Sequence, residues 1–171
     1  MHAPAIDSAR LSLRGHTTQD FIDRAAMWGD EAVARYIGGR PSTLEEVWSR
    51  LLRYAGHWTL LGFGYWAVRE TATGRFVGEV GLSDFHRPLD LPFDGLPEAG
   101  WALAPWAQGK GYATEAVTAA LDWGADHFGS PRAWCLISPE NAPSIRVAER
   151  VGFREHARAT YHDAPTIIFQ R

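Results

Sequence analysis

The chain has 171 residues, 46% of them hydrophobic and 22% charged, with a formal net charge of −3. That length suits one domain with its own core, and the slightly acidic balance argues against nucleic acid or an anionic membrane as partner, since both need a basic face. A single cysteine, Cys135, rules out an internal disulfide; the opening MHAPAIDSARLSLRG lacks the basic head and apolar run of a signal peptide, and no apolar stretch nears the roughly 18 residues of a membrane span, so the expectation is a soluble, cytoplasmic protein.

ARLSLRG alternates apolar and polar residues and predicts a first strand. Thr17 or Thr18 can cap a helix bearing Phe21, Ala25 and Trp28 on one face, and Asp30 to Tyr36 predicts a second, short one. PSTLEEVWSRLLRYAGH is a stronger helix, with Ser42 and Glu45 at capping-box spacing and an apolar stripe of Leu44, Val47, Leu51 and Tyr54. GFGYWAVRE and RFVGEVGLSDF flank the turn TATG and predict a hairpin. HRPLDLPFDGLPEAG, rich in proline, predicts an irregular loop, and EAGWALA another strand. GYATEAVTAALDWGADHFG is a helix ending at Gly129. RAWCLISPEN is a strand, APSIRVAERVG a short helix with Pro143 in its first turn, and REHARATYHD with TIIFQR a closing hairpin. The order predicts a mixed sheet with helices packed on it, not regular βα alternation. Of the eight Trp and eight Phe, most are expected to fill the core and some to line a pocket.

APWAQGKGYATEAV places two glycines and a lysine at a helix start, which points to phosphate. A nucleotide-hydrolysing loop needs G-x-x-x-x-G-K-[ST]; here Ala104 replaces the first glycine and Gly111 the hydroxyl residue. A dinucleotide fingerprint G-x-G-x-x-G fails at Thr114, and the acid that should close the next strand has no clear candidate. The frame Q-x-x-G-x-A, Gln108 to Ala113, fits throughout. Small residues let backbone N–H groups approach a pyrophosphate at a helix N-terminus, and no metal is required.

That segment resembles the acyl-CoA-binding motif of the GNAT superfamily of N-acetyltransferases. SARLSLRG, EAGWALAPWAQGKGYATEAV and NAPSIRVAERVGF together are similar to the branch that holds the ribosomal-protein N-terminal acetyltransferases (RimJ/RimL-like). The resemblance implies one α/β (mixed α+β) domain over residues 1–171. Its sheet would be mostly antiparallel and twisted, with about seven strands, a splayed central pair and flanking helices. It also implies an acetyl-CoA-dependent N-acetyltransferase that passes acetyl directly to a primary amine. The amine would be a protein N-terminal α-amine or else a small-molecule amine. A non-catalytic CoA-binding module of the same fold is the alternative.

By that resemblance the cofactor-binding residues are Trp101, Leu103, Gln108, Gly109, Lys110, Gly111, Tyr112, Ala113, Asn141 and Ser144. A backbone N–H at Leu103 or a neighbour would hold the thioester or pantetheine. Glu98 and Glu79 are the carboxylates that could take the amine proton through water. Many family members protonate the leaving sulfur with a tyrosine four residues before the second signature's glycine. Ala148 stands there, and Ser144 is the substitute. Cys135, in an apolar strand without a paired His, reads as buried. The histidines show no metal-binding spacing, so none is expected. The loop with Asp84, Asp90 and Asp94, near Phe63, Tyr65 and Trp66, could receive a cationic amine or a peptide N-terminus. Monomer and homodimer both fit.

Overall fold

The structure is a computed structural model, and it describes residues 2–90, 93 and 95–171. Along the chain run β1 (Ile6–Asp7), β2 (Leu11–Gly15), α1 (Phe21–Trp28), α2 (Glu31–Ala34) and α3 (Leu44–Leu61). Then come β3 (Tyr65–Glu70), β4 (Phe76–Ser83), β5 (Glu98–Leu103) and α4 (Tyr112–Phe128). β6 (Trp134–Ile137), α5 (Ala142–Arg150), β7 (Arg154–Tyr161) and β8 (Ala164–Gln170) complete it. The strands form one sheet in the order β1-β2-β3-β4-β5-β6-β8-β7, antiparallel at every step except β5–β6. The mixed α/β architecture is the expected one. The strand beyond the predicted seven is β1, whose two residues are too few to show an alternating pattern.

The start of α3 lies one residue later than predicted. The capping box of α3 is Thr43 with Glu46, not Ser42 with Glu45: Thr43 Oγ1 accepts from Glu46 N–H at 3.2 Å, and Glu46 Oε2 accepts from Thr43 N–H at 2.8 Å. Arg40 also forks onto Glu46 at 2.6 and 3.0 Å, a contact that favours this frame. Leu44 consequently lies outside the buried stripe, while Val47, Leu51 and Tyr54 are buried.

Both sheet faces are covered. Trp66, Val68, Val80 and Leu82 pack toward α4 with Val117 and Leu121. Trp58, Trp66 and Trp123 meet edge-to-face, with ring centroids 4.7 to 5.3 Å apart. On the other face Ala67, Phe76 and Ala102 pack against Met27 and Trp28 of α1 and Val47 of α3. A bulge in β4 assigns residues to the two faces. Val68 pairs with Gly78 but Arg69 with Phe76, so one extra residue sits between. The alternation therefore slips: Val77 and Val80 both face α4, and Glu79 turns to the α1 face. Gly78 is required at the bulge, because a Cβ there would lie 2.2 Å from the Ala102 carbonyl oxygen. Among the described residues, no helix is long and apolar enough to cross a membrane.

Candidate active site

The loop after β5 ends in two left-handed glycines, Gly109 (φ 74°) and Gly111 (φ 80°). Gly111 caps α4 without a side-chain acceptor, so the first-turn N–H groups of a 17-residue helix face outward. Their partial positive charge adds to the helix dipole. Gln108 Nε2 donates to the Leu103 carbonyl at 3.1 Å and ties the loop to the strand. From behind, Arg10 Nη1 donates to the Lys110 carbonyl at 3.0 Å, while Arg10 Nε pairs with Glu115 at 2.7 Å. A cleft of about 230 Å³ opens along this loop. Of the expected cofactor residues, Trp101, Leu103, Gln108, Gly109, Gly111, Tyr112, Ala113, Asn141 and Ser144 line it. Lys110 is not among its described lining residues: its ammonium sits 4.7 Å over the Trp106 ring instead. The Tyr112 hydroxyl faces Glu70, to which it donates.

β5 and β6 meet at one pair, Glu98 with Trp134, and then diverge. Ala104 N–H donates to Val77 on β4 at 2.9 Å. By strand alternation the N–H groups of Trp101 and Leu103 point the other way, into the gap. An extended ligand arm can pair with that edge as a strand would. Across the gap stands the start of α5. Asn141 caps it, its Oδ1 accepting from Ser144 N–H at 3.2 Å. The Ser144 hydroxyl takes no part in the cap and is half-buried on the cleft wall.

A second cleft, about 670 Å³, lies on the α1–α3 side of the same strand. Tyr36, Ile37, Trp101, Ala102, Asn141 and Ser144 line both clefts, so the two meet at these residues. Glu79 and Glu98 line the second cleft only. Glu79 accepts from Arg24 Nε at 2.8 Å and Trp28 Nε1 at 3.2 Å, with both side chains of the ion pair fully buried. Glu98 is held bidentately by Arg87 at 2.6 and 2.7 Å, and Arg87 Nη1 donates to the Tyr161 hydroxyl at 2.8 Å. Burial pushes the Glu98 carboxyl above its usual range, against the pull of Arg87. Cys135 also borders this cleft, 1% exposed, and burial pushes its thiol well up, so it is no ready nucleophile. Among the described residues, no three His, Cys, Asp or Glu side chains are grouped to hold a metal.

Residues 10–154 match the family model described as Acetyltransferase (GNAT) domain. The chain belongs to the GNAT acetyltransferase family. It is 31% identical to a GnaT-family acetyltransferase of Bordetella pertussis, with a TM-score of 0.86 over 99% of both chains. It is also 31% identical over 110 residues to YkkB of Bacillus subtilis, a match covering 64% of this chain but only 62% of that protein. The ribosomal-protein-S5-alanine acetyltransferase of Vibrio fischeri shares the fold, with a TM-score of 0.78 at 20% identity over 99% of this chain and 96% of that one.

For a GNAT acetyltransferase the cosubstrate is acetyl-CoA, and the first cleft has the groups to hold it. The N–H edge of β5 suits the pantetheine, and the Gly109–Gly111 turn with the α4 N-terminus suits the pyrophosphate. Arg146 and Arg150, one helical turn apart on α5, add charge to that wall. They were not singled out in the sequence, although their i, i+4 spacing beside Ser144 was readable. Tyr36, Ile37, Arg50, Arg53 and Arg87 were missed as well; they come from segments distant in sequence, and only the fold brings them to one cleft. Ala148, where many GNAT members carry tyrosine, is 0% exposed in the core and offers nothing to the cleft. Of the acidic loop, Asp84 and Asp90 are not among the described lining residues, and Asp94 lies outside the described residues. Tyr65 does line the second cleft, whereas Trp66 is a core residue.

Proposed function

We propose that the chain transfers acetyl directly from acetyl-CoA to a primary amine, with a protein N-terminal α-amine as the foremost acceptor and a small amine next. The observation that carries this is the junction of the two clefts at Trp101, Asn141 and Ser144. One opening suits a CoA arm, the other an acceptor, and they share the wall where transfer must occur. Acetyl-CoA supplies the thioester. The chain's own groups do the rest. N–H groups of Trp101 and Leu103 hold the thioester oxygen and favour charge developing on it. The Ser144 hydroxyl donates a hydrogen bond to the departing sulfur, which leaves as the thiolate and takes its proton from solvent. A thiol pKa near ~8.5, by analogy with cysteine, makes a weak donor sufficient. Glu98 takes the proton of the attacking amine through water; two of its roughly four lone-pair positions remain beside the Arg87 fork. Glu79, closed in by Arg24 and Trp28, positions those two residues.

CoA-thiol release with a panel of amines and N-terminal peptides tests this. Acetyl-CoA binding without thiol release for any acceptor would support the second reading, a non-catalytic CoA-binding module, which the buried Ala148 favours. In the active enzyme, Ser144→Ala is expected to lower kcat by about 10²-fold, the low end for losing one hydrogen-bond donor to charge that develops in the transition state. Acetyl-CoA affinity should stay within a few-fold; an unchanged kcat removes Ser144 from the chemistry. Glu98→Gln is expected to cost a similar factor, on the order of 10²-fold. It should also change the pH profile of kcat/KM. Glu98 acts as base only when ionised, so activity falls as pH drops through its raised pKa. The Gln variant should lose one proton's worth of steepness on the acid side. A profile identical to that of the parent would assign the proton elsewhere.

A further inference from the structure

We infer that the acceptor carries a carboxylate close to its amine, and that Arg50 and Arg53 bind it in the second cleft; the inference rests on the transferase reading of the site. The acidic loop led to a different expectation, a cationic amine or a peptide N-terminus. The described lining instead holds four arginines, Arg35, Arg50, Arg53 and Arg87, against Glu79, Glu98 and Glu140. Two of those glutamates are already matched, Glu79 by Arg24 and Glu98 by Arg87. Arg35, Arg50 and Arg53 are left facing only Glu140, exposed at the rim, and none of the three forms an ion pair among the described residues.

Arg50 is built as a receptor. Its guanidinium lies 3.8 Å over the Trp28 ring, and Trp28 is pinned by its bond to Glu79. Arg50 Nη1 is buried with no hydrogen-bond partner. A buried donor of that kind calls for an acceptor. Arg53 follows at i+3 on the same face of α3, its guanidinium 5.0 Å from the centre of the Phe85 ring. A planar guanidinium matches a carboxylate bidentately, which an ammonium-lined pocket does not do. Beside the arginines, the rings of Tyr54 and Tyr65 stack at 4.3 Å; burial pushes both phenols upward, so they stay protonated. The same positive charge disfavours the ammonium form of an incoming amine, so it eases the deprotonation that attack requires. It also repels a polyamine, a device for rejecting the wrong acceptor.

A free amino acid and a peptide with an acidic first residue both present this chemistry. Calorimetry on the CoA-loaded protein reads it without needing turnover. The probes are the protein amino acids against their carboxamides, C-terminally amidated Glu-Ala-Ala against Gln-Ala-Ala, and spermidine. Carboxylate-bearing probes are expected to bind at least 10-fold tighter than their neutral counterparts, and spermidine weakest. The pair that shows the preference tells amino acid from peptide. Arg50→Gln, and independently the exposed Arg53→Gln, should each reduce the preference several-fold with CoA affinity unchanged, which also certifies the fold. Equal affinity for carboxylate and carboxamide, tighter spermidine, or no carboxylate probe binding at millimolar concentration overturns the inference. Thiol release is followed in parallel: a carboxylate preference without release keeps the anion subsite and removes the transferase reading.

Discussion

Gly111→Asp is expected to lower acetyl-CoA affinity by more than 100-fold while the protein stays folded. Gly111 has φ 80° and caps α4. Aspartate enters the left-handed region more readily than most residues, so the backbone strain is modest. Its Cβ would meet one neighbour, Arg10 Nη2 at 3.4 Å, an ordinary contact with a flexible cation. The fold therefore has room for the side chain. The pyrophosphate does not tolerate it, because a carboxylate then stands among the N–H groups meant for phosphate oxygens. At about 4 Å and an effective dielectric near 20, two like unit charges repel by about 4 kcal/mol. Gly111→Asn is the control, with the same shape and no charge; it should lose far less. Calorimetric titration with acetyl-CoA, alongside a thermal melt, makes the measurement. Asp and Asn variants with equal affinity would mean that no phosphate approaches this turn.

That prediction could be framed from the sequence, because the turn is local. Gln108 to Ala113 are contiguous, and the two positive-φ positions are glycines, so residue types and spacing already encode the geometry. The central hairpin, the end of α4 at Gly129 and the Pro143 start of α5 were readable for the same reason. Ser144 was named from its motif, but only the structure shows its hydroxyl outside the cap and at the wall common to both clefts. The acceptor side was the least legible. Arg50 and Arg53 look like solvated positions of an amphipathic helix, and Arg87 like a charge in a proline-rich loop. Their meeting depends on where α3 and the loop lie over β5, a tertiary fact without local signature. The acidic loop was legible in part: its Phe85 and Arg87 do line the second cleft, but Asp84 bonds within its own turn, accepting from His86 N–H at 3.1 Å, and is not among the described residues of the cleft. Glu79 was readable as a strand carboxylate, but its burial was not, because the β4 bulge that turns it inward comes from a single extra residue opposite β3.

Glu79→Leu is expected to destabilise the fold by roughly 3–5 kcal/mol, the range for breaking one side of a buried ion pair. Arg24 is 0% exposed, and its Nη1 and Nη2 have no hydrogen-bond partner. The bond from Nε to Glu79 is the one charged contact it forms among the described residues. Removing the carboxylate strands that cation in an apolar layer and also takes the acceptor from Trp28 Nε1. Adding Arg24→Met should recover most of the loss, since apolar replacement of a whole buried pair is often close to neutral. Urea unfolding of the two single variants and the double gives the coupling directly. The double variant also separates the two roles open to Glu79. As a positioning residue it acts through Trp28 on Arg50, so its loss should raise KM for the acceptor and leave kcat within a few-fold. As the proton acceptor it would be needed at saturation too. A folded double variant whose kcat fell by about 10²-fold would move the base from Glu98 to Glu79.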